Sequence, residues 1–122
     1  MPFAVLFDEA FVAEFDKLPE QVQDELLART GWLEEFGPDL GRPNVDTLKG
    51  SAYPNMKELR FHLDGLWRFA FAWDPQRQAI ILCGGNKEGA NQKRFYRSLI
   101  RLADARFATH VAQAGSRAKS RS

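Results

Sequence analysis

The sequence predicts an α+β fold of order β-α-α-β-β-β-α, with a small, mostly antiparallel four-stranded sheet and helices packed on one face. Three observations predict it. Apolar residues recur at helical spacing in two blocks, between residues 9 and 36 and between 91 and 111. Residues 56 to 83 hold three strand-like runs separated by turn signals. A short apolar run near the N-terminus supplies one more strand.

That first run is Phe3 to Phe7, ended by Asp8. Asp8 is a suitable N-cap, with Phe7 and Val12 spaced for a hydrophobic staple. Phe11, Phe15 and Leu18 mark a helix over residues 9–18. Pro19 breaks it and suits the first turn of a second helix. Val22, Leu26, Leu33 and Phe36 carry that helix to the stop signal Gly37-Pro38. The pair reads as a helical hairpin with an acidic outer face. Residues 37–55, punctuated by Gly41, Pro43, Gly50 and Pro54, read as a long loop, and such loops are often functional.

In the run Met56 to His62, Leu59 and Phe61 alternate with Glu58, Arg60 and His62. Asp64-Gly65 suits a two-residue hairpin turn. From Leu66 to Trp73, aromatic residues at 67, 69, 71 and 73 alternate with Arg68, Ala70 and Ala72. After the turn Asp74-Pro75-Gln76-Arg77, the run Gln78 to Cys83 is apolar on both faces and should be an interior strand. A long helix from about Asn91 to Val111 follows, with Tyr96, Ile100, Ala103, Phe107 and Val111 on one stripe. Residues 1–113 are expected to form one domain, and the small, polar, basic segment 114–122 a disordered tail.

A chain of 122 residues has room for one core, and 44% apolar with 27% charged residues is ordinary globular composition. The one cysteine, Cys83, lies in an apolar run and reads as an inert thiol; no internal disulfide is possible. His62 and His110 form no metal spacing. No stretch is apolar enough to span a bilayer, and the N-terminus lacks the basic start of a signal peptide, so no membrane association and a cytoplasmic location are expected.

The net charge of +1 conceals an asymmetry. Residues 1–50 carry 4 basic and 11 acidic side chains, a net of −7, whereas residues 51–122 carry 13 and 5, a net of +8. Such separation suggests a polyanion-binding surface, unless the halves neutralise each other across the fold. Within the basic part, Arg60 and Arg68 fall on neighbouring strands. An arginine among apolar sheet residues is costly unless paired or facing a polar ligand. For Arg68 a structural pairing with Glu58 is as good a reading as function; Arg60 leans to function. Lys87 follows glycines at a strand end, where backbone amides and a point charge can hold phosphate, although a solvated turn lysine is commoner. Tyr96 suits a core position with its hydroxyl at the edge, a base-stacking ring or a proton donor. Lys93, Arg97 and Arg101 stand at i, i+4, i+8, with Arg94 beside them, and the excess of one sign favours phosphate binding.

Together, Leu48-Lys49-Gly50, Lys57-Glu58-Leu59-Arg60, Gly65-Leu66-Trp67-Arg68 and the apolar strand ending near Lys87 resemble the RelE/ParE superfamily. The segment Asn86 to Gly89, through Phe95-Tyr96 to Asp104, is similar to its HigB-like, phage-derived branch. The resemblance covers roughly residues 3 to 111. It implies the toxin of a type II toxin–antitoxin system, a ribosome-dependent mRNA endoribonuclease that arrests translation. It implies no metal or other cofactor, and cleavage by attack of the RNA 2′-hydroxyl on the adjacent phosphate. The implied partners are a cognate antitoxin, often of helix-turn-helix type, and the ribosome with its mRNA. Carried onto this chain, Arg60, Arg68, Lys87 and Tyr96 become the expected catalytic residues. Lys57, His62, Lys93, Arg94, Arg97 and Arg101 become the expected RNA-binding residues. The general base is left open, with His62 the one histidine near these strands. Two other readings stay open: a ParE-like toxin that binds DNA gyrase without cutting RNA, and an inactive relative that binds only its antitoxin.

Overall fold

The computed structural model describes residues 2–121, with side chains described to residue 114. The elements are β1 (Val5–Phe7), α1 (Glu9–Asp16), α2 (Glu20–Phe36), a 3-10 turn (Gly37–Asp39), β2 (Val45–Thr47), β3 (Met56–His62), β4 (Leu66–Trp73), β5 (Ala79–Asn86) and α3 (Gln92–Arg121). They form one mixed sheet of order β1-β5-β4-β3-β2. β1 pairs with β5 in parallel, and the other neighbours are antiparallel.

The α+β class and the three-strand meander agree with the sequence reading, and two details differ. The sheet has five strands rather than four. The extra one, β2, pairs with Lys57 to Leu59 inside the segment read as loop. Three residues are too few to display a period of two. The helices also cover both faces rather than one. Phe11, Val22, Leu26 and Leu33 from α1 and α2 pack on Leu59, Phe61, Phe69 and Phe71. Leu99, Ala103 and Phe107 of α3 pack on Met56, Ala70, Ala72, Ile80 and Leu82 on the opposite side. The alternation in β4 explains the difference. Its aromatic side chains fill one face, while Ala70 and Ala72 leave the other shallow enough for a helix to approach.

Local signals act largely as read. The Asp8 carboxylate accepts from the Ala10 and Phe11 amides, capping α1. Phe7 does not staple to Val12, which is exposed; it packs edge-on against Phe11 and at a tilt on Phe15. Gly37 ends α2 with φ of +59°, a conformation favouring glycine. The tail expected at 114–122 falls on residues whose side chains, from 115 on, lie outside the described set. Among the described residues no helix is long and apolar enough to cross a membrane.

Candidate functional site

The β3–β4 hairpin decides which side chains meet. His62 pairs with Leu66, so the connection is Leu63-Asp64-Gly65, three residues rather than the two expected. That one-residue difference sets Arg60 directly opposite Arg68 and aligns their faces. Asp64 takes φ of +47° to make the turn, and Gly65 φ of +151°. A Cβ on Gly65 would stand 2.6 Å from the Asn86 amide, so this position also needs glycine for close approach.

Glu58, Arg60 and Arg68 therefore share the face covered by α3. Arg68 is nearly enclosed. Its Nε lies 3.4 Å from Glu58 Oε1, without hydrogen-bond geometry, and has no other partner. Nη1 of Arg68 donates to the Trp67 carbonyl at 2.9 Å. Glu58 is also buried, and the Tyr96 hydroxyl donates to the same Oε1 at 2.9 Å. Lys87 Nζ stands 5.4 Å from the centre of the Tyr96 ring, within cation–π range. The Lys87 backbone amide donates to Leu66 O at 2.8 Å, tying the strand-end turn to β4. Asn86 Oδ1 accepts from the Leu66 and Glu88 amides and fixes that turn.

Arg60 is half-buried at the outer side, 3.6 Å from Asp46 of β2, which also meets Arg42 at 3.2 Å. The cluster thus gathers three cations around one buried carboxylate, with Asp46 at its margin. Burial and the Arg68 charge lower the Lys87 pKa; Glu58 opposes this and Arg60 adds to it. Burial and the bond to Glu58 raise the Tyr96 pKa, against the pull of Arg68. The tyrosine therefore keeps its proton at neutral pH.

All four residues read as catalytic come together, and the residues read as RNA-binding divide. Lys57 points to the opposite face, donating to Thr47 Oγ1 at 3.0 Å and lining a cavity with Leu40 and Trp73. Strand alternation separates it from Glu58 and Arg60. His62 shares their face but is exposed at the strand end, without an ion pair or side-chain hydrogen bond among the described residues. Lys93, Arg97 and Arg101 line one groove with Tyr96. Arg94 lies on the other flank of α3, beside Gly84, Phe95 and Leu102. From the sequence, Glu58 reads only as a counter-ion. Its bond to Tyr96 joins positions 38 apart, a pairing no local pattern reveals. The Cys83 thiol is buried, pushed up to about 12 chiefly by burial, and takes no part.

Residues 13–108 match the family model described as "Phage derived protein Gp49-like". Two Mycobacterium tuberculosis proteins are similar in sequence. One, named "Putative toxin HigB2", is 44% identical over 107 residues, covering 86% of this chain and 53% of that protein. The other, named "Putative toxin HigB3", is 53% identical over 87 residues, covering 69% of this chain and 75% of that protein. The chain thus spans about half the length of the first and three quarters of the second. Among solved structures, a free-state mutant of the Escherichia coli toxin RelE superposes with a TM-score of 0.61 at 19% identity, covering 83% of this chain and 97% of that one. The isolated E. coli RelE toxin superposes with a TM-score of 0.55 at 18% identity, covering 81% and 96%. These two matches establish a RelE-like fold.

Proposed function

The chain belongs to the phage-derived Gp49-like family, and from that premise we propose that it is a type II toxin that cuts translated mRNA on the ribosome. The observation that carries this reading is the chain of contacts from Arg68 through Glu58 to the Tyr96 hydroxyl, with Arg60 and Lys87 beside it. RNA cleavage by the 2′-hydroxyl needs three things from the protein: an acceptor for the hydroxyl proton, a donor for the leaving 5′-oxygen, and charge against the crowded phosphate. This cluster can supply each.

In the proposed reaction, Arg60, Arg68 and Lys87 hold the scissile phosphate. Arg60, 34% exposed, is the arginine a phosphate can reach, and Arg68, 3% exposed, contributes through its charge from beneath it. Glu58 takes the proton of the attacking 2′-hydroxyl as the new phosphorus–oxygen bond forms. Tyr96, whose raised pKa keeps its proton on, gives it to the departing 5′-oxygen. The products are a 2′,3′-cyclic phosphate and a 5′-hydroxyl end. The 2.9 Å bond between Tyr96 and Glu58 then returns the proton and resets the pair. No histidine is needed as base. The ribosome would supply substrate orientation, worth much of the barrier in any two-group reaction. A cognate antitoxin, of helix-turn-helix type, would hold the toxin silent in the cell.

Induced expression followed by primer extension on a translated message tests the reading. Cuts within codons support it. Growth arrest with intact messages and DNA-damage signalling would replace it with gyrase inhibition.

A further inference from the structure

Resting on that reading of an RNA substrate, we propose that the groove between α3 and the Gly50 loop is the track for the RNA strand leaving the cluster. The groove is shallow and open to solvent, about 640 Å³, with Tyr96 and Ile100 in its lining and Lys93, Arg97 and Arg101 along it. Tyr96 lines this groove and donates to Glu58, so it is the residue the groove and the candidate cleavage cluster share. The three cations are exposed, and none makes an ion pair among the described residues. Their i, i+4, i+8 spacing sets successive charges about 6 Å apart along the helix, comparable to a phosphate step of an extended strand. A lane of charge beside an aromatic ring is the chemistry that holds single-stranded nucleic acid without reading its sequence.

The opposite side of the groove is the turn at Gly50. Gly50 has φ of +98°, and a Cβ there would already touch Ile100 Cδ1 at 3.7 Å. The wall is held to α3 by Asp104, which accepts from the Ser51 hydroxyl and from the Ala52 amide at 2.9 Å. Arg94, one residue from Lys93, faces the other flank and lies off the track.

The test is the salt dependence of binding to a fluorescein-labelled oligouridine carrying 2′-O-methyl groups, which cannot be cut. Each cation that neutralises a phosphate on a single strand contributes about 0.7 to the slope of log K against log salt. The Lys93→Gln/Arg97→Gln/Arg101→Gln variant should be shallower than the wild type by about 2. Arg94→Gln should keep the wild-type slope. An unchanged slope in the triple variant, an equal loss in Arg94→Gln, or no wild-type binding overturns the track. Polyglutamate binding that weakens in the triple variant while the RNA slope holds would assign the groove to an acidic protein segment instead, and also overturns it. A groove-dependent slope in a protein that leaves translated messages intact defeats the ribonuclease reading and leaves the track standing.

Discussion

The Arg60 side chain is 34% exposed beside Asp46, whereas that of Arg68 is 3% exposed against Glu58. Their truncations should therefore differ. An exposed ion pair contributes at most about 1 kcal/mol, so Arg60→Ala should leave urea unfolding nearly unchanged and abolish growth arrest. Arg68→Ala strands the buried Glu58 carboxylate, which costs about 3–5 kcal/mol. Its loss of toxicity would then report folding as much as chemistry. Arg68→Lys, keeping the charge but losing the planar fork, is the cleaner probe. Tyr96→Phe keeps the ring beside Lys87 and deletes only the hydroxyl. It should lower the cleavage rate about 10²–10⁴-fold while costing about 1 kcal/mol in stability. At this scale the residue types and the neighbouring strands of the two arginines are legible in the sequence, whereas their facing register is not, because it depends on a three-residue turn. Nor is the Tyr96–Glu58 bond, because the hydroxyl reaches across from a helix whose placement rests on the whole sheet.

Among the elements, β4 does the most to build the site, because its two faces serve two cores. Phe69 lies over Gly84 of β5 so closely that a Cβ on Gly84 would sit 2.1 Å from the ring. Gly84→Ala should therefore force strand and ring apart, costing about 1–3 kcal/mol by overpacking. A lower urea midpoint at unchanged m-value is the expected readout. Phe107→Ala empties the space between α3 and Tyr53 and should cost about 3–5 kcal/mol. The helices and the meander were legible because their periods run for many residues. β2 was not, because Val45 to Thr47 offers no period, yet it contributes Asp46 to the margin of the site. The placement of α3 was not, because an alanine reads equally as filler or as room for a helix.

Across the whole molecule, the opposed charges of the two parts are used in two ways. Arg106 of α3 joins the acidic N-terminal region, meeting Glu14 at 2.6 Å and Asp8 at 3.9 Å while donating to Leu82 O at 2.7 Å. Within the basic part itself, His110 meets the buried Asp74 at 3.0 Å. These contacts fasten α3 across the sheet, so part of the asymmetry is structural. Lys93, Arg97 and Arg101 of the groove make no such pair among the described residues. The hydrogen bond from Arg106 holds the Glu14 pKa below 4.5. A carboxylate depressed in the folded state contributes stability that is present above its unfolded value and lost as pH falls through its folded one. Thermal unfolding followed from neutral to acid pH should therefore drop more steeply below 4.5 in the wild type than in Glu14→Gln. The central claim concerns the cluster, and primer extension on a translated message, with wild type and Tyr96→Phe expressed at equal levels, tests it most directly. The account predicts cuts within codons for the wild type and full-length message for the variant. Equal cutting by both proteins, or an intact message under wild-type arrest, would contradict it.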